Sequence, residues 1–202
     1  MPRIIAGELG GRPIPGSAGK GTRPTTDRVR EALFSRLAGW DAIDGARVLD
    51  LYAGTGALAF EALSRGARSA LLVEAHGASA QQLRRSAKAL GLGDRTEVRA
   101  ARAETVVDDL AAARGDSDDA PAGRAGTDAG AGWGLVFIDP PYEVSTEAVE
   151  SLLVTLLPAL APEAVVVVER SSRTRPISWP DGYVDDGTKS YGETALQYGG
   201  PA

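Results

Sequence analysis

The chain predicts an α/β fold, a mostly parallel sheet with helices on both faces. Three observations carry that reading. Short strand-like runs at 47–51, 70–74, 96–99, 134–139 and 164–169 alternate with helical patterns at 58–65, 79–90, 104–113 and 147–160, the rhythm of β-α-β units. Most of these strand runs are continuously apolar rather than alternating, as strands buried on both faces require. The helical patterns are closed by breakers, Gly66, Gly91 and the Pro158/Pro162 pair, which mark where a helix gives way to the next strand.

Taken in order, residues 1–24 form a basic arm rich in Gly and Pro, with apolar pieces at Ile4-Ile5-Ala6 and near Ile14. A small β-hairpin or a loose arm suits it, and its removal is expected to leave the remaining fold intact. Residues 25–202 form the main domain. It begins with a helix over 25–37, where Val29, Leu33 and Leu37 recur at i, i+4, i+8. Thr25 or Thr26 can cap it, and Asp27 favours its first turn. After the five strand runs, Tyr183-Val184 and 194–198 read as two more strands around a Gly187–Gly192 turn region, a hairpin closing one sheet edge. That makes seven strands, with an antiparallel C-terminal pair. Between Gly115 and Gly132 lie five Gly, five Ala and four Asp in 18 residues, the composition of a flexible loop with no core to join.

With 202 residues and 43% apolar content, one compact domain plus an appendage is expected. The chain holds no cysteine, so disulfides, thiolate metal sites and cysteine nucleophiles are excluded. No signal-like start and no 18-residue apolar stretch occur, which points to a cytoplasmic protein without a membrane partner. Net charge is −5, yet residues 1–36 carry seven basic and three acidic side chains, a net of +4 that leaves −9 for the rest. Arg3, Arg12, Lys20 and Arg23 in that basic part suit a polyanion such as RNA.

Two motifs carry chemistry. The first is the run 48–59, Val-Leu-Asp-Leu-Tyr-Ala-Gly-Thr-Gly-Ala-Leu-Ala, a strand, a glycine turn and a helix start. Gly54 and Gly56 allow close approach of backbone to a ligand. Gly54-x-Gly56-x-x-Ala59 also matches the dinucleotide fingerprint, but Asp50 would face a pyrophosphate there, and like charges repel. The same carboxylate favours a ligand with an ammonium or sulfonium group, as in S-adenosyl-L-methionine. Glu74, ending the second strand, can reach ribose hydroxyls, and the Ala103 backbone can flank an adenine. The second motif is Asp139-Pro140-Pro141-Tyr142 after the fourth strand. Two prolines stiffen the turn and withhold donors, leaving the Asp139 carboxylate and Pro140 carbonyl as acceptors beside the Tyr142 ring. Such a pocket suits a planar heterocycle bearing an amino group. His76 reads as a solvated helix-start residue, and no metal site is visible.

Together, the Asp-x-x-x-Gly-x-Gly turn, Glu74 and Asp139-Pro140-Pro141-Tyr142 resemble class I S-adenosylmethionine-dependent methyltransferases that modify exocyclic amines. More narrowly, Arg3-Ile4-Ile5-Ala6-Gly7, Gly10-Gly11-Arg12 and the segment 22–34 (Thr-Arg-Pro-Thr-Thr-Asp-Arg-Val-Arg-Glu-Ala-Leu-Phe) resemble the RsmD family, which methylates N2 of a guanine at position 966 of 16S ribosomal RNA. The resemblance implies a Rossmann-like seven-stranded methyltransferase sheet and a monomer acting on the small ribosomal subunit or its assembly intermediate. By that resemblance, Asp50, Gly54, Gly56, Glu74, Ala103, Thr25, Thr26 and Arg28 would hold the cofactor. Asp139, Pro140 and Tyr142 would carry the chemistry, while Arg3, Arg12, Lys20, Arg23, Pro141 and Tyr142 would meet RNA. Arg102 departs from the family pattern, standing where many such enzymes place an acid for the adenine amino group; an arginine cannot accept that hydrogen bond. Two other activities share parts of this pattern: a DNA adenine-N6 methyltransferase and an NAD-dependent oxidoreductase. A non-catalytic RNA-binding module is a further alternative.

Overall fold

The computed structural model describes residues 2–16, 27–115 and 132–202; Lys20, Arg23, Thr25 and Thr26 and most of the Asp-Gly-Ala segment lie outside them. Seven strands, β1 (Arg47–Leu51), β2 (Ser69–Val73), β3 (Thr96–Arg99), β4 (Trp133–Ile138), β5 (Leu160–Ser171), β6 (Tyr183–Tyr191) and β7 (Thr194–Pro201), form one sheet in the order β3-β2-β1-β4-β5-β7-β6. The first five run parallel, and β7 runs antiparallel between β5 and β6. Among the described residues, the α-helices are α1 (Asp27–Gly39), α2 (Ala57–Ser64), α3 (Gly77–Leu90), α4 (Ala103–Gly115) and α5 (Thr146–Leu156). Among the described residues, no helix is long and apolar enough to cross a membrane.

The period of two along each strand divides the core. Val48, Leu72, Leu135, Phe137 and Val167 pack against α1, α2 and α3 on one face. Leu49, Leu51, Val73, Val136, Ile138 and Val166 pack against α4 and α5 on the other. This is why the runs read as unbroken apolar stretches: alternate side chains enter different cores, and neither face is wet. Asp50 is the polar interruption, on the face that also takes Val48 and Phe137 and only 2% exposed.

Two local expectations change, and a third resolves to one of its alternatives. The helix expected over 147–160 ends at Leu156, and a 3-10 turn over Leu157–Ala159 leads directly into β5 at Leu160. Pro158 explains the switch, because it cannot continue an α-helix interior. The last hairpin turns after Tyr191, at Gly192, whereas Gly187 sits inside β6 at a register shift with φ of 94°. Residues 2–16 form a docked hairpin in place of a loose arm. Arg3 and Pro13 are bridged, the Ile4 N–H donates to the Arg12 carbonyl at 2.9 Å, and Ile4 and Ile14 are fully buried in the α1–α3 core.

Candidate active site

Strand order reverses at β1, with β2 on one side and β4 on the other, so the loops leaving their C-terminal ends part and open a crevice. A cleft of about 1250 Å³ lies there. It brings together Asp50, Gly54, Glu74, Ala103, Asp139, Pro140, Pro141 and Tyr142, residues from four separate stretches of sequence.

Asp50 lies at the floor. Its Oδ2 accepts the Ala59 N–H at 3.2 Å, which pins the first turn of α2 to the end of β1. Burial raises its proton affinity; the Ala59 hydrogen bond opposes this and the nearby Glu74 charge adds to it, giving a pKa of about 7. The turn that follows is strained at one point: Tyr52 has φ of 64°, a region non-glycine residues seldom occupy. Its hydroxyl donates to Glu104 Oε1 at 3.1 Å, tying the end of β1 to the start of α4. Glu74 accepts the Gly54 N–H at 3.0 Å and the His76 N–H at 2.8 Å. His76 is the N-cap of α3 and accepts the Ser79 N–H through Nδ1.

Gly56 does not line the cleft. A Cβ there would meet Phe60, Leu83 and Leu72 at 2.6 to 3.0 Å, and its φ is 74°. Its part is to let α2 start tightly against the core, which only a residue without a side chain permits. Arg28 is likewise displaced from its expected place: it is exposed and faces a smaller recess beside Arg3 and Glu31. Arg30, two positions on, is the α1 arginine that lines the cleft, and it is 1% exposed. The offset follows from helical periodicity, since residues two apart point to nearly opposite sides.

On the far side, Asp139 is half-buried, Pro140 is buried, and the Tyr142 ring is 71% exposed at the mouth. Burial raises the Asp139 proton affinity well above the ordinary carboxylate range; Glu169 and Asp50 push it further, and Arg170 opposes them. Glu169 and Arg170, at the end of β5, are site residues that the sequence motifs did not single out. Nothing local marks them, because only the pairing of β5 with β4 carries them to Asp139. Arg170 is 9% exposed, and its Nη2 donates to the Val144 carbonyl at 2.8 Å, bracing the turn after Tyr142. Arg102 is exposed and paired with Glu104 at 3.3 Å, so Glu104 is the nearest acid at the expected adenine end. Of the basic residues expected to meet RNA, Arg12 is exposed, and Arg3 is exposed but pairs with Asp27 at 3.3 Å.

Comparisons with known proteins agree with this geometry. Bacillus subtilis YlbH, assigned as an rRNA methyltransferase, is 35% identical over 141 residues, covering 70% of this chain and 67% of that one. Ribosomal RNA small subunit methyltransferase D of Escherichia coli is 49% identical over 92 residues, 46% of each chain. The chain thus spans about half the length of that relative in the sequence match. The solved structure of Escherichia coli yhhF, assigned as a methyltransferase, superposes with a TM-score of 0.75 at 32% identity, covering 98% of this chain and 97% of that one. The model of the family described as Conserved hypothetical protein 95 matches residues 2–199. With nearly every residue inside that match, and with the seven-stranded order and the acid-lined crevice already in place, the chain belongs to this family, the RsmD-type S-adenosylmethionine-dependent methyltransferases.

Proposed function

We propose that the protein transfers a methyl group from S-adenosylmethionine to the exocyclic N2 of a guanine in 16S ribosomal RNA, the position-966 type, within the small subunit or an assembly intermediate. One observation carries the reading: Asp50 and Glu74, at the C-terminal ends of β1 and β2, line the same cleft as Asp139, Pro140 and Tyr142. A crevice so lined favours a cationic ligand and disfavours a pyrophosphate, which argues for a sulfonium cofactor over NAD. The names of the relatives favour ribosomal RNA over DNA as the acceptor.

The residues present fit that cofactor. Asp50 would meet its ammonium group, Glu74 its ribose, and the Ala103 backbone and Glu104 its adenine end. When bound, S-adenosylmethionine supplies an electrophilic methyl on a positively charged sulfur. The protein's part is placement. The Asp139 carboxylate and the Pro140 carbonyl accept the two N2–H bonds, which frees the nitrogen lone pair from the ring and aims it into the crevice. Tyr142 stacks on the base, a contact worth roughly 1–3 kcal/mol in single-strand binders, and the base must leave its helix to reach it. An acid held above its ordinary range is also the better base for the proton released on transfer, and Asp139 is such an acid.

Labelled S-adenosylmethionine incubated with undermethylated small ribosomal subunits, and separately with duplex DNA, tests the assignment. Label on one guanine N2 of 16S RNA is expected, and label on DNA adenine would overturn it. Asp139→Ala should cut turnover by about 10²–10³-fold, the loss seen when one preorganised hydrogen-bonding group is removed, while cofactor affinity in a calorimetric titration stays close to the parent's.

A further inference from the structure

Asp139 does not stand alone at the strand ends. The β4–β5 register runs Phe137↔Val167 and Ile138↔Val168, so Asp139 and Glu169 are the next residues on two parallel neighbours. Their side chains emerge on the same face from strands about 4.8 Å apart, and both line the cleft beside Tyr142. Arg170 braces this arrangement from below: its Nη2 holds the Val144 carbonyl, and its Nε is buried without a hydrogen-bond partner. The influence of Glu169 on Asp139, second only to burial, agrees with their closeness.

We propose that Glu169 is a specificity residue that accepts the N1–H of the target guanine, so that Asp139 and Glu169 together take the two adjacent donors of its pairing edge. The proposal rests on the guanine-N2 reading above. Guanine is the one standard base with neighbouring N–H donors at N1 and N2. Adenine presents a bare N1 lone pair beside its amine, which would point at the Glu169 carboxylate, and uracil has a single donor between two carbonyls. Neighbouring carboxylates repel, as Glu169 does Asp139, and a pair of donors placed against them relieves both at once. A site built to hydrogen-bond one partner rejects an analogue that leaves its polar group unmatched.

The test uses small subunits reconstituted from 16S RNA carrying guanine or 2-aminopurine at the target position. 2-Aminopurine keeps the reacting amine but has no N1–H. The parent enzyme is expected to favour guanine in kcat/KM by at least about 100-fold, a modest fraction of what unmatched polar groups impose elsewhere. In Glu169→Gln the amide can donate to a bare N1, so the preference should narrow by about 10-fold or more, with S-adenosylmethionine affinity within about 2-fold of the parent's. Equal parent rates on both bases would overturn the proposal, and that outcome needs no variant to fold. An unchanged preference in a Glu169→Gln protein that still binds cofactor would overturn it too. If the parent labels no guanine N2 at all, the underlying reading fails, a result distinct from label that is insensitive to N1.

Discussion

Asp50 sits in the wrong medium for a carboxylate. It is 2% exposed, its Oδ2 accepts the Ala59 N–H, and its pKa rises from 3.8 to about 7. The sign of the consequence follows from proton binding. The folded protein holds this proton more tightly than the unfolded chain, so stability falls as pH climbs from near 3.8 to about 7, and the whole penalty is present above that. A shift of this size corresponds to about 4 kcal/mol. Asp50→Asn is therefore expected to raise the urea midpoint at pH 8 and to leave it unchanged near pH 4; an equal gain at both would reject this account. The same variant should lose most of its cofactor affinity. Under the proposed function the cofactor's ammonium meets the ionised acid, so affinity in the parent should rise with pH through about 7, with proton release visible as a buffer-dependent binding enthalpy.

At the scale of elements, the least obvious link is between the N-terminal hairpin and α2. Glu61 is fully buried, and its oxygens accept the Ile5 N–H at 2.6 Å, the Ala6 N–H at 3.0 Å and Arg65 Nε at 2.7 Å. Arg30 Nη1 stands 4.0 Å from it, while Arg30 Nη2 donates to the Arg3 carbonyl at 2.7 Å. Gly7 closes the contact: with φ of +81°, a Cβ there would lie 1.9 Å from the Ser64 carbonyl oxygen. The hairpin is thus a structural part of the methyltransferase core, contrary to the expectation that it is dispensable. Glu61→Ala should destabilise the fold by about 3–5 kcal/mol, as breaking a buried ion pair from one side does. Deletion of residues 2–16 should be at least as damaging, since it also uncovers the core that Ile4 and Ile14 fill. Both are read by chemical denaturation, and a truncated protein with an unshifted midpoint would contradict the docking.

Across the whole molecule, Asp50, Glu74, Asp139 and Glu169 line the crevice together with Arg30, Arg102 and Arg170, while exposed bases such as Arg12 and Arg28 stand on the hairpin and the adjoining face of α1. Under the proposed function, these exposed bases draw the RNA backbone to the hairpin side. On the proposed RNA reading, the logarithm of substrate affinity should fall linearly with the logarithm of salt concentration. Arg12→Ala should make that slope shallower by about 0.7, the value for one lost single-strand phosphate contact. An unchanged slope would remove the hairpin from the RNA-facing surface.

The order of strands and helices, the glycine turn and the Asp139-Pro140-Pro141-Tyr142 corner were all legible in the chain, because each rests on local periodicity or on residues within a few positions of one another. The helix end at Leu156 was misplaced by a few residues and the turn ending at Gly192 was drawn too wide, since packing and pairing, more than propensity, set where an element stops. The exchange of Arg28 for Arg30, the core-facing duty of Gly56, and the convergence of Glu169 and Arg170 on Asp139 were decided only in three dimensions. Sequence by itself determined which groups exist to do the chemistry. Which of them share one small volume depended on strand register and helix rotation, and those are settled by contacts between residues far apart in the chain.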